Sequence, residues 1–246
     1  MSRVVFGVRP VEELCRARPR EVVIVYVADG YRSQEIEAAV AVAKDRGITV
    51  EFRPRALVAD LAASSTHQGM VAVAGEFHYV RVDEMLNAAK DAGEPPLLLI
   101  LDCITDPQNF GALVRSAEVL GAHGVIVPDK HAAPVTGSVV KASAGASERM
   151  RIARVHNLLG TIDWLREQGV AVWGGAADEA MPLSQADLRG PAAIVIGGEG
   201  RGLRMAVARR CSNLVQIPQR GKIASLNASV AGAILLYEAV RQRTAS

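Results

Sequence analysis

Three stretches of this 246-residue chain concentrate the polar side chains and glycines that chemistry needs. The first runs from Thr105 to Arg115, a loop feeding a helix from Phe110. At about 100° per residue, Phe110, Leu113, Val114, Ala117 and Leu120 form one apolar stripe, and Arg115 projects almost opposite it. Such an arginine is either solvated or free to reach a substrate phosphate or a second subunit. The second stretch is Gly197-Gly-Glu-Gly-Arg-Gly-Leu203. Its glycines permit positive φ and let backbone amides approach a ligand. The spacing is neither G-x-G-x-x-G nor a phosphate loop ending in Gly-Lys-Ser/Thr. Glu199 would repel phosphates, so the loop suits a ligand held by its base, sugar or amino group. The third runs from Ile217 to Glu238. Pro218 and Gly221 mark a loop, and Arg220, Lys222, Ser225, Asn227 and Ser229 supply polar groups before an apolar, small-residue helix. Ser225 or Asn227 could simply cap that helix, while Ile217 and Leu226 could wall a flat ring whose edges bond to backbone. No His/Asp pair flanks a serine, no ligand cluster suits a metal, and no carboxylates pair. Covalent and metal-assisted hydrolysis are therefore disfavoured.

These loops need strands to present them. Leu97–Leu101 is a continuous Leu/Ile run and reads as a strand buried on both faces. Helix Phe110–Gly121, strand Gly124–Pro128, a small-residue helix Ser138–Ser147, helix Leu158–Gln168 and strands Val170–Trp173 and Ala192–Ile196 follow. Upstream, a short strand at 4–8 and helix Val11–Ala17 precede strand Glu21–Ala28, read as buried on both faces. Helix Gln34–Arg46 capped by Ser33, strand Ile48–Phe52, helix Ala56–Ala63 and strand Met70–Ala74 complete that part. His67, just before the last of these strands, reads as a loop histidine. The pattern predicts α/β architecture throughout: a small domain at 1–78, a linker at 79–96 ending in Gly93-Glu-Pro-Pro96, and a larger domain at 97–246 with a mostly parallel sheet. Ligands of such sheets sit at strand ends, where all three stretches fall.

Composition narrows the field. Aromatic residues are 4% of the chain, too few for base-stacking platforms to be the main binding device. Residues 1–94 carry 12 basic and 14 acidic side chains, residues 95–246 carry 16 and 12. The basic excess, with Arg201, Arg204, Arg209, Arg210, Arg220 and Lys222, is either a phosphate-binding surface or a solvated face. Cys15, Cys103 and Cys211 have no paired spacing and read as free thiols of a reducing compartment. Without a signal pattern or a run near the roughly 20 apolar residues of a span, the expectation is a soluble, cytoplasmic protein with no membrane or metal partner.

Asp106-Pro-Gln-Asn-Phe-Gly-Ala-Leu-Val-Arg-Ser-Ala117, Gly197–Leu203 and Ile217–Val230 together resemble the three signature motifs of the SpoU/TrmH RNA 2′-O-ribose methyltransferases. Val5-Phe-Gly-Val-Arg-Pro-Val-Glu12 and His67-Gln-Gly-Met-Val-Ala72 look like the RNA-binding domain of the branch that methylates a 23S rRNA guanosine. The resemblance implies a SPOUT fold, with a parallel sheet and a C-terminal segment threaded as a deep trefoil knot. It implies S-adenosylmethionine as cofactor, at Gly197, Gly198, Gly200, Ile217, Pro218 and Leu226. It also implies a homodimer through knot helices, suited by the small residues Ala228, Ala231 and Gly232. Asn109, Arg115, Glu199, Ser225 and Asn227 fall on the family's polar active-site positions. Arg115 is then the candidate for activating the ribose hydroxyl, from the partner subunit; its high ordinary pKa leaves a phosphate-positioning role open. Asn109, Ser225 and Asn227 would orient Arg115, the ribose and the cofactor loop, Glu199 would anchor a basic neighbour or shape the site, and Arg220 and Lys222 would form an RNA-facing rim.

The implied reaction is 2′-O-methylation of 23S rRNA, with tRNA or another rRNA nucleotide, including a drug-resistance adenosine, as the alternative substrate. A non-catalytic RNA-binding module is disfavoured because all five polar positions are intact. A nicotinamide-dependent oxidoreductase is disfavoured by the glycine spacing and by Glu199.

Overall fold

The computed structural model describes residues 2–176, 180–198, 200, 202–221 and 225–244. In chain order the elements are β1 (Arg3–Phe6), α1 (Val8–Ala17), β2 (Val22–Ala28), α2 (Gln34–Asp45), β3 (Val50–Arg53), α3 (Arg55–Ala62), β4 (Met70–Ala74), α4 (Val82–Asp91), β5 (Leu97–Asp102), α5 (Pro107–Val119), β6 (Gly124–Pro128), α6 (Gly137–Ala142), α7 (Ala146–Arg149), β7 (Ile152–Val155), α8 (Leu158–Glu167), β8 (Ala171–Gly175), β9 (Met181–Pro182), β10 (Ala192–Gly197), α9 (Met205–Ala208), β11 (Asn213–Gln216) and α10 (Ala228–Thr244). They divide into two compact units, Met1–His78 with Pro134–Arg149, and Tyr79–Ala133 with Met150–Ser246.

The first unit holds a four-stranded sheet in the order β1-β4-β2-β3, antiparallel except for the parallel β2/β3 pair. Ser33 caps α2 as expected, its Oγ accepting the Ile36 amide at 3.3 Å. β2 is not buried throughout: Val23, at the register shift between Val22 and Ile24, is 66% exposed, whereas Val25 and Val27 are fully buried. Residues 134–149, expected in the second domain, pack here. Gly137 lies against β1 so closely that a Cβ would come 2.2 Å from the Val4 carbonyl oxygen. Glu148, its side chain fully buried, is held by Arg3 and Arg18, and both guanidiniums lie over the Phe77 ring. The single helix expected over Ser138–Ser147 is two short helices, because Ala144 and Gly145 adopt φ of +52° and +88°.

The second unit is built on a seven-stranded, wholly parallel sheet in the order β7-β6-β5-β10-β8-β11-β9. Every residue of β5 is buried, as a central strand covered on both faces requires. On one face Leu98, Ile100, Val172, Ala193 and Val195 pack with Ile162 and Leu165 of α8. Met85 of α4 joins the same cluster, so the stretch at 79–96 expected as a linker is built into this unit as a core helix. Its amphipathic stripe was the signal, and the following prolines end the helix without detaching it. On the other face α10 packs against α5 and β10: Gly232 sits where a Cβ would come 2.3 Å from Leu113 Cδ2. Arg243 in the last turn of α10 donates to the carbonyls of Pro95, Pro96, Leu188 and Gly190, which fixes the helix across the entry to β5. Among the described residues no helix is long and apolar enough to cross a membrane.

Candidate active site at the C-terminal edge of the parallel sheet

Parallel pairing brings the three polar stretches to one edge. Asp102 at the end of β5 stands level with Gly197 of β10, β10 pairs with β8, and Gly175 of β8 stands level with Val215 of β11. The loops after these strands therefore leave side by side, although nearly 100 residues separate the first from the second.

The glycine loop is tight for reasons internal to the chain. Gly198 and Gly202 bridge each other, with the Gly202 amide donating to the Gly198 carbonyl at 3.0 Å, and Gly200 and Gly202 hold φ of +80° and +62°. A Cβ on Gly197 would come 2.1 Å from the Gly202 carbonyl carbon, and one on Gly198 would come 2.4 Å from the Cys103 carbonyl oxygen. Cys103 itself holds φ of +61°, an uncommon conformation for a residue with a side chain. The loop is thus pressed against the end of β5. Asp102 locks it there: its fully buried carboxylate accepts the Arg204 amide at 2.9 Å and Arg204 Nε at 2.7 Å. Burial, and secondarily the Asp102 charge, raises the Cys103 thiol pKa. Sequence reasoning missed Asp102; the signal was a lone carboxylate ending a strand with no other polar residue.

At the third stretch, Ile217 is half-buried, Pro218 is exposed and Leu226 is 42% exposed. Gln219, Arg220, Gly221, Ser225 and Leu226 make no backbone–backbone hydrogen bond among the described residues. Apolar side chains flanking unbonded backbone groups fit an adenine ring and its edges, so the donor set suits S-adenosylmethionine.

The expected polar residues divide into two groups. Asp106 caps α5 by accepting the Gln108 and Asn109 amides at 3.2 and 3.0 Å, and Pro107 takes the first helical position. The helix therefore starts three residues before the expected Phe110, which places Asn109 on its buried first turn. Asn227 Nδ2 donates to Asn109 Oδ1 at 3.0 Å. Asn227 Oδ1 accepts the Ser229 and Val230 amides, at 2.9 and 3.4 Å, and the Ser229 hydroxyl at 2.6 Å. Asn227 thus caps α10, one of the two possibilities open in the sequence, and at the same time joins it to the first turn of α5. Arg115 and Ser225 are exposed and make no hydrogen bond or ion pair among the described residues. Glu199 lies outside the described residues, as do Arg201 and Lys222 of the basic cluster. Of the described members of that cluster, Arg204 is paired with Asp102 and Arg210 with Asp163 at 3.0 Å.

Two of the three small residues expected to suit a second subunit are packed inside the chain. Gly232 and Ala228 are buried within the chain, Gly232 under Leu113 and Ile196. A groove of about 440 Å³ instead lies between α5 and α10, lined by Ala112, Ser116, Val230, Ala233, Ile234 and Tyr237. Among the described residues no group of three or more His, Cys, Asp or Glu could hold a metal ion.

The family model described as the SpoU rRNA Methylase family matches residues 96–237, and a second, for RNA 2′-O ribose methyltransferase substrate binding, matches residues 4–80. The chain belongs to the SpoU rRNA methylase family. It is 40% identical to the 23S rRNA (guanosine-2′-O-)-methyltransferase RlmB of Coxiella burnetii, over 100% of this chain and 98% of that one. It is 37% identical to the putative TrmH family tRNA/rRNA methyltransferase YacO of Bacillus subtilis, over 91% of this chain and 90% of that one. The crystal structure of the SpoU methyltransferase AviRb from Streptomyces viridochromogenes, in complex with AdoMet, superposes with a TM-score of 0.81 at 27% identity, covering 100% of this chain and 92% of that one. The fold is that of the SPOUT methyltransferases, and the chain is an S-adenosylmethionine-dependent RNA 2′-O-ribose methyltransferase.

Proposed function

We propose that this enzyme methylates the ribose 2′-hydroxyl of a guanosine in 23S rRNA, as a homodimer. The observation that carries the target is the full-length similarity, through both units, to relatives named for that reaction. When bound, S-adenosylmethionine would supply an electrophilic sulfonium methyl; its transfer to the 2′-oxygen would break the S–CH3 bond, leave a neutral thioether and release the hydroxyl proton to water. This chain's residues hold and align the two reactants, which accounts for much of the rate without a covalent intermediate. Gly197, Gly198 and Gly200 shape one side of the cofactor site, and Ile217, Pro218 and Leu226 wall the other. Asn109 holds Asn227, which fixes the start of α10 and the Ser225–Leu226 segment before it. Arg115 keeps its donors for the RNA; a guanidinium is a fixed, forked cation and serves a ribose-phosphate better as a partner than as a base. Ser225 orients the ribose, and Arg220 lies on the RNA-facing rim.

The groove between α5 and α10 receives the second protomer, which brings Arg115 of one chain toward the cofactor loop of the other. The chain is further proposed to thread its C-terminal segment as a trefoil knot, a reading supported by the packing of α10 back on β10 after β11. Incubation with labelled S-adenosylmethionine and unmodified 23S rRNA or tRNA, followed by mapping of 2′-O-methyl nucleotides, tests the reading. Methyl transfer should fall on one guanosine of 23S rRNA; transfer to tRNA alone, or to an adenosine, overturns the target. Arg115→Ala should lower transfer at least 100-fold while cofactor affinity changes less than about twofold, the signature of a residue that acts on the reacting substrate. A monomeric mass by light scattering would contradict the shared site.

A further inference from the structure

In the first unit a second set of donors converges, whereas the methyl-transfer residues belong to the second unit. His67 is only 1% exposed, and its Nδ1 accepts the Gly69 amide at 3.0 Å. The proton of the neutral ring therefore sits on Nε2, which has no hydrogen-bond partner among the described residues. Nε2 is not sealed off, since the one unpartnered, fully buried side-chain nitrogen or oxygen among those residues is Trp173 Nε1. The turn that sets this ring is unusual: Gln68 and Gly69 hold consecutive φ of +54° and +81°, and Gln68 Oε1 accepts the Val8 amide at 3.2 Å.

Two cations flank His67. Lys141, from α6, lies 5.3 Å over the Phe6 ring and donates to the Thr66 carbonyl at 2.8 Å and to the Thr66 hydroxyl. Arg55, at the start of α3, lies 5.4 Å over the Tyr31 ring, whose centroid is 6.1 Å from that of His67. Arg3, Arg16, Arg18, Arg53 and Arg149 of the same unit each pair with a carboxylate. Arg55 and Lys141 pair with none among the described residues. What separates them from the unit's other unpaired cations is that both converge on one buried donor. Burial and these two charges hold His67 below its ordinary pKa, so at neutral pH it remains an uncharged donor. His67 Nε2 and the Arg55 guanidinium face no acceptor among the described residues, and Lys141, whose ammonium has three donors, spends two of them on Thr66 and keeps one. That is the chemistry of an anion site with little ordering cost.

We propose that Arg55, Lys141 and His67, braced by Tyr31 and Phe6, bind a backbone phosphodiester of the RNA substrate. The proposal rests on the enzyme's reading as an RNA methyltransferase and adds a contact remote in sequence from the three loops. Lys141 lies within the stretch matched by the methylase family model, yet it completes a site whose other members lie in the substrate-binding match. The aromatic braces hold the cations, and the phosphate oxygens take the donors left over.

The test uses the full-length enzyme and an unmodified 23S rRNA transcript. Arg55→Gln and Lys141→Gln should each weaken RNA binding about 3- to 10-fold. Each should also flatten the slope of log affinity against log salt by roughly 0.7 to 1, the mark of one lost phosphate contact. KM for RNA should rise while kcat at saturating RNA and S-adenosylmethionine affinity stay unchanged, and Arg55→Lys and Lys141→Arg should recover most of the binding. In wild-type enzyme labelled with ¹⁵N-histidine, RNA should shift the His67 Nε2 resonance. Unchanged salt slopes in both glutamine variants overturn the subsite, as does equal loss in the charge-conserving variants. Saturation by inorganic phosphate at micromolar concentration, with the His67 resonance unmoved by RNA, would make it a free-anion site instead. Displacement of RNA from His67 by an acidic peptide alone would point to a protein partner and also overturn it. Wild-type methyl transfer to RNA is scored separately, so loss of the subsite and loss of the methyltransferase reading give different results.

Discussion

Asp102→Asn isolates what holds the glycine loop on the sheet. The Asp102 side chain is fully buried and accepts from the Arg204 amide at 2.9 Å, from Arg204 Nε at 2.7 Å and, more weakly, from the Cys103 thiol at 3.7 Å. Asparagine keeps one acceptor of the same shape, but its amide nitrogen must then face a donor. The backbone bond to a buried carboxylate is worth about 1.5–3 kcal/mol. The ion pair adds little, because Arg204 is 45% exposed and screened by water, so about 0–1 kcal/mol is appropriate. The expected loss is about 2–3 kcal/mol, or roughly 4–12 °C in Tm for a domain of this size. Urea denaturation followed by near-ultraviolet circular dichroism reads the first quantity, and calorimetric titration reads the accompanying loss of S-adenosylmethionine affinity, about tenfold. Arg204→Gln supplies the control. It leaves the backbone amide in place and should cost below about 1 kcal/mol. If Arg204→Gln costs as much as Asp102→Asn, or if Asp102→Asn costs less than about 0.5 kcal/mol, the carboxylate is not what anchors the loop.

Gly232→Ala would place a Cβ 2.3 Å from Leu113 Cδ2 and 3.3 Å from Ile196 Cγ1. Leu113 must leave its rotamer, at a cost of about 1–3 kcal/mol in urea denaturation; an unshifted midpoint would show that α10 and α5 are not so closely packed. Burial pushes the Cys15 thiol up to about 12 and that of Cys211 up to about 11. Iodoacetamide at pH 8 should therefore modify the less enclosed Cys103 first, more slowly when S-adenosylmethionine is present, and peptide mass spectrometry showing Cys15 modified first would contradict this. Burial also holds His67 and His123 below the ordinary 6.5. As pH falls past 6.5 the unfolded chain takes up protons before the folded one, so this contribution is full above pH 6.5 and declines below it, by up to about 1.4 kcal/mol per pH unit for each histidine. A urea midpoint that stays flat between pH 7 and 5.5 would contradict those burials.

Elements whose residues carry their own signal were legible. β4 and β6 have the expected bounds, and β5 is one residue longer, because apolar runs bounded by turn residues state both type and length. β7 and β11 were not expected: four residues each, with Arg154 or terminal Asn213 and Gln216 among them, they are strands by virtue of their neighbours. The placement of residues 134–149 was equally invisible. A small-residue helix announces that something packs closely on it, and Gly137 and Gly145 do meet Val4 and Glu13 across such contacts. Nothing in Ser138–Ser147 itself says which part of the chain that partner is. The site motifs were readable as a resemblance; their convergence follows from strand order, which local sequence does not encode.

The geometry also separates residues that the motifs present as equals. Asn227 has its oxygen committed to the amides opening α10 and its nitrogen to Asn109, whose side chain lies on the buried first turn of α5. A side chain engaged at both ends is a poor candidate to follow a reacting hydroxyl through a change of bonding. It is well suited to holding two helices and the loop before one of them in register. In the proposed reaction Asn109 and Asn227 would therefore be positioning residues. Arg115 and Ser225, exposed and with donors uncommitted among the described residues, would be the groups that meet the ribose. The distinction has a kinetic signature. Loss of the Asn109–Asn227 bond should loosen the cofactor loop and weaken S-adenosylmethionine binding together with turnover, whereas loss of Arg115 should leave binding intact and remove turnover.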